Sequence, residues 1–235
     1  ITELVFMDND PEKLRIYGGM AAQVSRRVNP ELSFRLTGDP EDAVRDADYI
    51  ITTIRAGGDA GRLFDEQTCL AHGVLGQETT GAGGFAMAIR SVPTLVYYCT
   101  LAREVANPGH LIFNFTNPSG IITQALRSKG FDNVYGICDA PSGFIKQLEE
   151  ILGIPYGTLD IECYGLNHLS WFRNAKVNGR DVQRELLDNP RTYEHSEMRL
   201  FTREMARISG DCMLNEYLYF YYRRVKSLSM IRKAD

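Results

Sequence analysis

The chain is poor in two residues that often carry chemistry, with four histidines and one tryptophan among 235 residues. It also lacks any block of like charge, any internal repeat and any low-complexity stretch. Without a basic stripe, binding to a nucleic-acid backbone is excluded, and the net charge of −4 agrees. No uninterrupted apolar run reaches the ~18 residues of a membrane span. No secretory leader is recognisable at the start. Neither nucleic acid nor membrane is therefore expected as a partner, and the cytoplasm is the expected location. Cysteines are few, scattered and odd in number: Cys69, Cys99, Cys138, Cys163 and Cys212. That pattern excludes a disulfide scaffold and fits reduced thiols in a cytosol. Most of them read as small buried residues.

What is present is ordinary for a globular protein: 44% apolar and 24% charged residues. The length allows one large or two modest domains. The chain opens at Ile1 inside an expected strand and ends abruptly at "SLSMIRKAD". These ends are expected to belong to a longer protein.

"TELVFMDND" reads as a strand closing on acidic residues, and "PEKLRIYGGMAAQVSRRV" as a helix with Pro11 at its start. "LSFRLTG" and "DYIITTI" read as further strands, separated by the short helix "DPEDAVRDA". Alternation on this scale implies a parallel sheet with helices on both faces. The near-continuous apolarity of the strands implies burial on both sides. The glycine-rich segment after Ile54 is too rich in special residues to be a plain connector. Beyond it, a helix is expected from about Phe85 to Ala106, then a strand "GHLIFNFTN", a helix "PSGIITQALRSK", a strand "DNVYGICD" and a helix stopped by Gly153. From Leu159 the pattern becomes antiparallel, with a turn at Asn178-Gly179, and then helical to about Arg224. The expected fold is α/β. A Rossmann-like, doubly wound nucleotide domain over 1–155 lacks its first strand and glycine loop. The start of a mixed α+β substrate domain follows over 156–235.

Ligands in such sheets lie beyond the carboxyl ends of the strands. Three polar clusters fall at those ends: Arg55 to Gly58, Asn114 to Asn117, and Cys138-Asp139. Asp8 is placed either to bind an adenosine ribose or, with Asp10, to cap the helix at Pro11. Cys138 and His168 are either a soft-borderline pair for a divalent ion or a buried thiol and a core imidazole. Asp139 is either a helix cap or a general acid. Asn167 is either a substrate contact or a turn residue. The tyrosines of "NEYLYFYYRR" either pack an aromatic helix, against a core or a partner subunit, or supply a general base. The second role needs a phenol whose pKa a nearby cation lowers.

In order and spacing, "GQETTGAGGFAMAIR", "NFTNPSGIITQA", "GICDAP", "YGLNHLSWF" and "NEYLYFYY" resemble the motifs of family 4 glycoside hydrolases. The resemblance implies a lactate/malate dehydrogenase-like fold, NAD and usually Mn2+ as cofactors, and a sugar glycoside, often 6-phosphorylated, as substrate. It implies Cys138 and His168 as metal ligands, Asp139 as the acid and Tyr217 as the base. It further implies Arg62, Glu78, Asn117 and Asn167 around the sugar, and Asp8 at the ribose. The implied reaction oxidises C3 by hydride transfer to NAD, removes the C2 proton, expels the aglycone, adds water and returns the hydride to C3.

"CDAP" resembles members acting on 6-phospho-α-glucosides, so the α linkage is favoured. A 6-phospho-β-glucosidase and an unphosphorylated α-glycosidase are the alternatives within the family. A homodimer or homotetramer is expected. Two other readings compete. A 2-hydroxy-acid dehydrogenase on the same fold leaves the Cys/His pair unexplained. A non-catalytic partner chain uses none of these groups.

Overall fold

The computed structural model describes residues 1–232. Strand β1 (Glu3–Met7) leads into α1 (Pro11–Lys13), a π-helical turn (Leu14–Gly18) and α2 (Gly19–Val28), which together form the expected first helix. Asp10 is its cap, accepting from the backbone N–H groups of Glu12 and Lys13. Strand β2 (Ser33–Thr37) pairs in parallel with β1, from Glu3 against Ser33 to Met7 against Thr37. Next come α3 (Pro40–Val44) and β3 (Tyr49–Thr52).

The glycine-rich segment holds a helix that its composition hides, α4 (Gly58–Ala71). Gly57 and Gly58 turn the chain at positive φ, and ordinary helix formers follow from Arg62. Helix α5 (Gly81–Val105) is long and apolar enough, by length and composition, to cross a membrane. It nevertheless carries Arg90, Arg103 and Glu104, and it sinks Leu95, Cys99 and Ala102 into a protein core. Strand β4 (Leu111–Asn114), helix α6 (Ser119–Ser128) and strand β5 (Val134–Gly136) follow, with β3, β4 and β5 paired in parallel in that order.

The four residues of β3 do not have both faces buried, as their apolarity implied. Tyr49 is 62% and Ile51 65% exposed, whereas Ile112 and Val134 are fully enclosed. Helices α5 and α6 cover one face of this sheet. The other face carries a ladder of rings, Tyr49 on Phe113 and Phe113 on Tyr135, with centroids 6.5 and 6.2 Å apart. Among the described residues, no ladder joins β1–β2 to β3–β5.

Helix α7 (Ala140–Leu152) leads to the hairpin β6 (Leu159–Leu166) and β7 (Leu169–Val177). Asn178 and Gly179, both at positive φ, turn β7 into β8 (Arg180–Asp181) as the sequence required. Helices α8 (Gln183–Asp188) and α9 (Thr192–His195), a 3-10 turn (Glu197–Leu200) and α10 (Arg203–Ile208) pack behind this sheet. Within the stretch expected to be wholly helical lies β9 (Met213–Leu214), which pairs with β7 through Trp171 and Phe172. Two residues are too few to show a strand period. Helices α11 (Tyr217–Tyr222) and α12 (Arg224–Ile231) end the described chain.

Two cores result. One gathers Leu95, Ile112, Ile122 and Val134 around the β3–β5 sheet. The other gathers Phe172, Leu186, Met198 and Met213 around the antiparallel sheet, and it recruits α7 through Phe144 and Leu148. Phe144 meets Phe172 edge-on at 4.9 Å. Helix α7 therefore spans the two units. It starts at the carboxyl end of a parallel strand and packs into the second core.

Candidate active site

Strand β5 ends at Gly136. A side chain there would strike the Thr123 hydroxyl 2.7 Å away, so only glycine lets the strand end this close to α6. Ile137 then donates its N–H to the Asn114 carbonyl, and Cys138 emerges half-buried just before α7. Opposite stands the tip of the β6–β7 hairpin. Gly165, at φ +120°, leaves room for the Leu169 carbonyl, which a Cβ would approach to 2.4 Å. Three residues on, His168 takes the left-handed conformation at φ +59°. Histidine tolerates that region better than branched residues, and a tight hairpin tip calls for it.

These two turns bring Cys138 Sγ and His168 Nε2 to 3.4 Å. One face of the imidazole lies on Tyr217, ring centroids 4.6 Å apart and planes inclined by 24°. Burial holds His168 below the ordinary histidine pKa, with Glu216 and Asp139 pulling the other way. A neutral imidazole beside a thiol is a donor set suited to a first-row divalent ion. With ion–sulfur and ion–nitrogen bonds of about 2.3 and 2.1 Å, two ligands on one ion stand roughly 3.1 to 3.6 Å apart. The observed separation fits. Among the described residues, no cluster of three or more His, Cys, Asp or Glu side chains that could hold a metal ion is present, so these two donors stand as a pair.

Asp139 sits at the start of α7, but its side chain does not cap the helix. The carboxylate is exposed instead, with Oδ1 4.0 Å from the Cys138 sulfur. Asn167 is half-buried with a buried Nδ2 that has no protein partner. Cys138 and Asn167, with Ser119, Thr123 and Arg127, line an open cleft of about 1030 Å³. Asn117 lies two residues before Ser119, after β4, and no hydrogen bond joins it to Cys138 or His168.

The Tyr217 phenol is pushed up by burial first, and Glu216 and Glu78 add to the rise, whereas Thr79 and Arg62 oppose it. The lowered pKa that a base requires is thus not supplied by the chain's own charges. Those neighbours show that α11 faces the loop before α5. Tyr221 confirms the contact by donating its hydroxyl to Thr80 Oγ1 at 2.8 Å. In that loop, Glu78 receives Arg55 Nε at 2.8 Å and lies 3.8 Å from Arg62 Nη1. Arg62 itself binds Glu66 at 2.9 Å. Asp8 stands apart at the end of β1, where its carboxylate accepts the Asp10 N–H at 2.8 Å. The sequence noted Arg55 only as part of a cluster, and it missed Arg90, Glu197 and Asn215. Arg90 grips Asp65 through its two terminal guanidinium nitrogens, at 3.0 and 2.5 Å, and donates from Nε to the Ala56 carbonyl. That grip fixes α4, which carries Arg62, to α5. Only the position of Asn215 inside "NEY" marked it in advance.

Comparison with known proteins decides the kinship. Residues 1–154 match the model of family 4 glycosyl hydrolases, and residues 163–235 match the model of that family's C-terminal domain. The chain belongs to family 4 of the glycosyl hydrolases. Among its family 4 relatives is the 6-phospho-beta-glucosidase BglT of Thermotoga maritima, 37% identical over 190 residues. That alignment covers 80% of this chain and 45% of BglT. The Thermotoga maritima 6-phospho-beta glucosidase solved with manganese, NAD+ and glucose-6-phosphate superposes with a TM-score of 0.87 at 34% identity, over 99% of this chain and 55% of that one. A 6-phospho-alpha-glucosidase from gut microorganisms, solved with NAD and Mn2+, gives 0.85 at 30% identity, over 97% and 56%. The chain thus spans about half the length of the family 4 proteins it matches. A lactate dehydrogenase of Eimeria maxima, 15% identical with a TM-score of 0.56 over 78% of this chain and 52% of that one, shares the family 4 fold.

Proposed function

We propose that this chain is the nucleotide- and metal-binding part of a glycosidase that cleaves 6-phosphoglucosides with NAD and a divalent ion. The observation that carries the proposal is the stack of three groups from three elements: the Cys138 thiol, the His168 imidazole 3.4 Å away and the Tyr217 ring lying on it. A 2-hydroxy-acid dehydrogenase has no use for that thiol. The meeting of the two family matches between 154 and 163 supports a division of the chain near residue 155. Five free cysteines support a reducing, cytoplasmic setting. Tyr221 and Tyr222, 44% and 50% exposed, are available to a partner subunit of a dimer or tetramer.

In this reading Cys138 and His168 hold a manganese ion, and Asp8 holds the adenosine ribose of NAD. When bound, the cofactor accepts a hydride from C3 of the sugar and the ion acts as a Lewis acid beside it. The chain's own groups do the rest. Tyr217 takes the proton from C2, once the added positive charge offsets the burial that now holds its phenol up. Asp139, exposed beside Cys138, holds the proton that the departing oxygen receives. Arg62, Glu78, Asn117 and Asn167 orient the sugar, with the orphaned Asn167 Nδ2 ready to donate to a hydroxyl. Asp139 in "CDAP" supports an α linkage. The β-type relative at 37% identity keeps a 6-phospho-β-glucoside as the second reading.

The test is hydrolysis of a nitrophenyl 6-phosphoglucoside with NAD and manganese added, and then with each withheld. Release that needs both is expected. Release unaffected by a chelator, or by removal of NAD, overturns the proposal.

A further inference from the structure

Three elements that carry the site meet at two polar residues outside it, the buried Asn215 and the half-buried Glu197. Asn215, 2% exposed, immediately follows β9. Its backbone N–H donates at 3.0 Å to the carbonyl of Ser170, two residues past His168 on the hairpin. Its side-chain oxygen accepts the backbone N–H of Tyr217 at 3.2 Å. Its side-chain amide donates at 2.8 Å to Oε2 of Glu197. The same Glu197 oxygen accepts the Glu216 N–H at 3.2 Å. The backbone N–H of Glu197 donates at 3.0 Å to Gln147 on α7, the helix that begins at Cys138-Asp139.

We infer that Glu197 and Asn215 act as a positioning clamp that holds the Tyr217 ring flat against the His168 imidazole. Neither touches the thiol or the cleft. The case rests on how the bonds are distributed. Asn215 has one polar group for each of three directions: the hairpin, the first turn of α11 and the 3-10 turn. Helix α11 is a single short turn and a half, and its own first carboxylate, Glu216, points away to Arg199 at 2.9 Å. Its first N–H groups would otherwise be orphans of a helix start. Glu197 and Asn215 satisfy those of Glu216 and Tyr217, and in doing so they fix where the first residue of α11 lies. The Thr79 hydroxyl meets the Tyr217 phenol from the loop before α5, and this backbone anchor fixes where the residue itself lies against the hairpin.

Charge is not what the clamp needs. A glutamine at 197 retains an oxygen that can accept from Asn215 and Glu216, whereas alanine retains none. The link to catalysis rests on the proposed function above, but the link to ring geometry does not, and the two can be read separately.

The geometric test is the proton spectrum of the histidine rings, recorded in metal-free buffer so that manganese does not broaden the signals. With four histidines in the chain, His168 is assigned by its disappearance in His168→Gln. In the unmodified protein its ring protons are expected upfield of the other three, because they lie over the Tyr217 face. Tyr217→Phe is expected to keep that shift and Tyr217→Leu to abolish it. Glu197→Ala and Asn215→Ala are expected to lose it while circular dichroism stays native, and Glu197→Gln is expected to restore it. Should Glu197→Ala fail to fold, Glu197→Asp reads the same contact, because it keeps the charge but withdraws the oxygen. Folded Glu197→Ala or Glu197→Asp, together with folded Asn215→Ala, showing an unmoved His168 signal overturns the clamp.

In the activity arm, the alanine variants are expected to lose about 10²-fold in kcat with KM little changed, as a displaced catalytic group does. An equal rise in KM alone would contradict the positioning role. If the shift behaves as described but no variant, and not the parent either, releases sugar, the clamp stands and the proposed glycosidase activity falls.

Discussion

The sulfur of Cys138 lies 3.4 Å from Nε2 of His168, although thirty residues separate them in the chain. The contact joins the end of a parallel strand to the tip of an antiparallel hairpin, so it records how the two units are set against each other. It also fixes the first expected outcome. Cys138→Ser and His168→Gln should each weaken Mn2+ binding by at least the 10- to 100-fold known for lost outer-shell partners, since a direct ligand contributes more. Electron paramagnetic resonance of free Mn2+ during a titration reads this without any substrate. Unchanged affinity in both variants, with native circular dichroism, removes the pair from any metal site.

Tyr217→Phe separates chemistry from packing. The phenylalanine ring keeps the stack on His168, so Mn2+ affinity and melting temperature should hold. Loss of the phenol should lower kcat by about 10²- to 10⁴-fold, the usual worth of a positioned base. A substrate deuterated at C2 should also react more slowly with the parent enzyme. Parent-like kcat in Tyr217→Phe would assign the proton transfer to another group.

Much of this site was legible in the sequence because motifs mark turns. "GICDAP" and "YGLNHLSWF" each contain a glycine that the backbone requires, Gly136 for close approach and Gly165 for positive φ. Asn178-Gly179 announced its hairpin for the same reason. Other features left no local trace. The helix over Gly58–Ala71 was masked by the glycines that start it. The open face at Tyr49 and Ile51 depends on what packs there, which strand apolarity does not encode. Glu197 lies in an ordinary "HSEMRL" stretch, and only tertiary structure brings it to Asn215.

The anomeric preference tests Asp139, the residue after Cys138. With Asp139 at that position, nitrophenyl α-glucoside 6-phosphate should be cleaved faster than its β counterpart. A panel of the two anomers, each with and without the 6-phosphate, decides. Faster cleavage of the β anomer would show that Asp139 alone does not set the linkage.

Arg90 and Asp65 should matter for stability before they matter for rate. Asp65 is 6% exposed and receives two guanidinium bonds, so Asp65→Ala leaves Arg90 without its partner. Arg90 keeps 32% of its side chain in solvent, which offsets part of the loss, so breaking the pair costs about 1–3 kcal/mol. In a chain of this length, that corresponds to roughly 2–4 °C of melting temperature for each kcal/mol. Arg62 on the same helix should then misplace, raising KM for the sugar in whatever fraction stays folded. A melting temperature within a degree of the parent would show that α4 is held by its apolar contacts alone.

Glu197 gives the protein a pH dependence of a definite sign. Burial pushes its carboxyl up to about 7 from 4.5, with Glu216 adding to the rise while the Glu216 N–H and Arg199 oppose it. The folded chain therefore holds this proton more tightly than the unfolded chain does. Between those two values the native state binds more protons, so stability falls as pH rises through the window. A shift of this size corresponds to at most about 3 kcal/mol. Glu197→Gln keeps the acceptor but has no proton to lose, so this part of the slope should vanish. Urea midpoints at about pH 5 and pH 8 should lie closer together in Glu197→Gln than in the parent, whose midpoint is the lower one at alkaline pH. If both proteins lose the same stability over that interval, the buried carboxyl is not its source. The clamp must then tolerate a charged Glu197 at no cost, which its half-buried position on the 3-10 turn argues against.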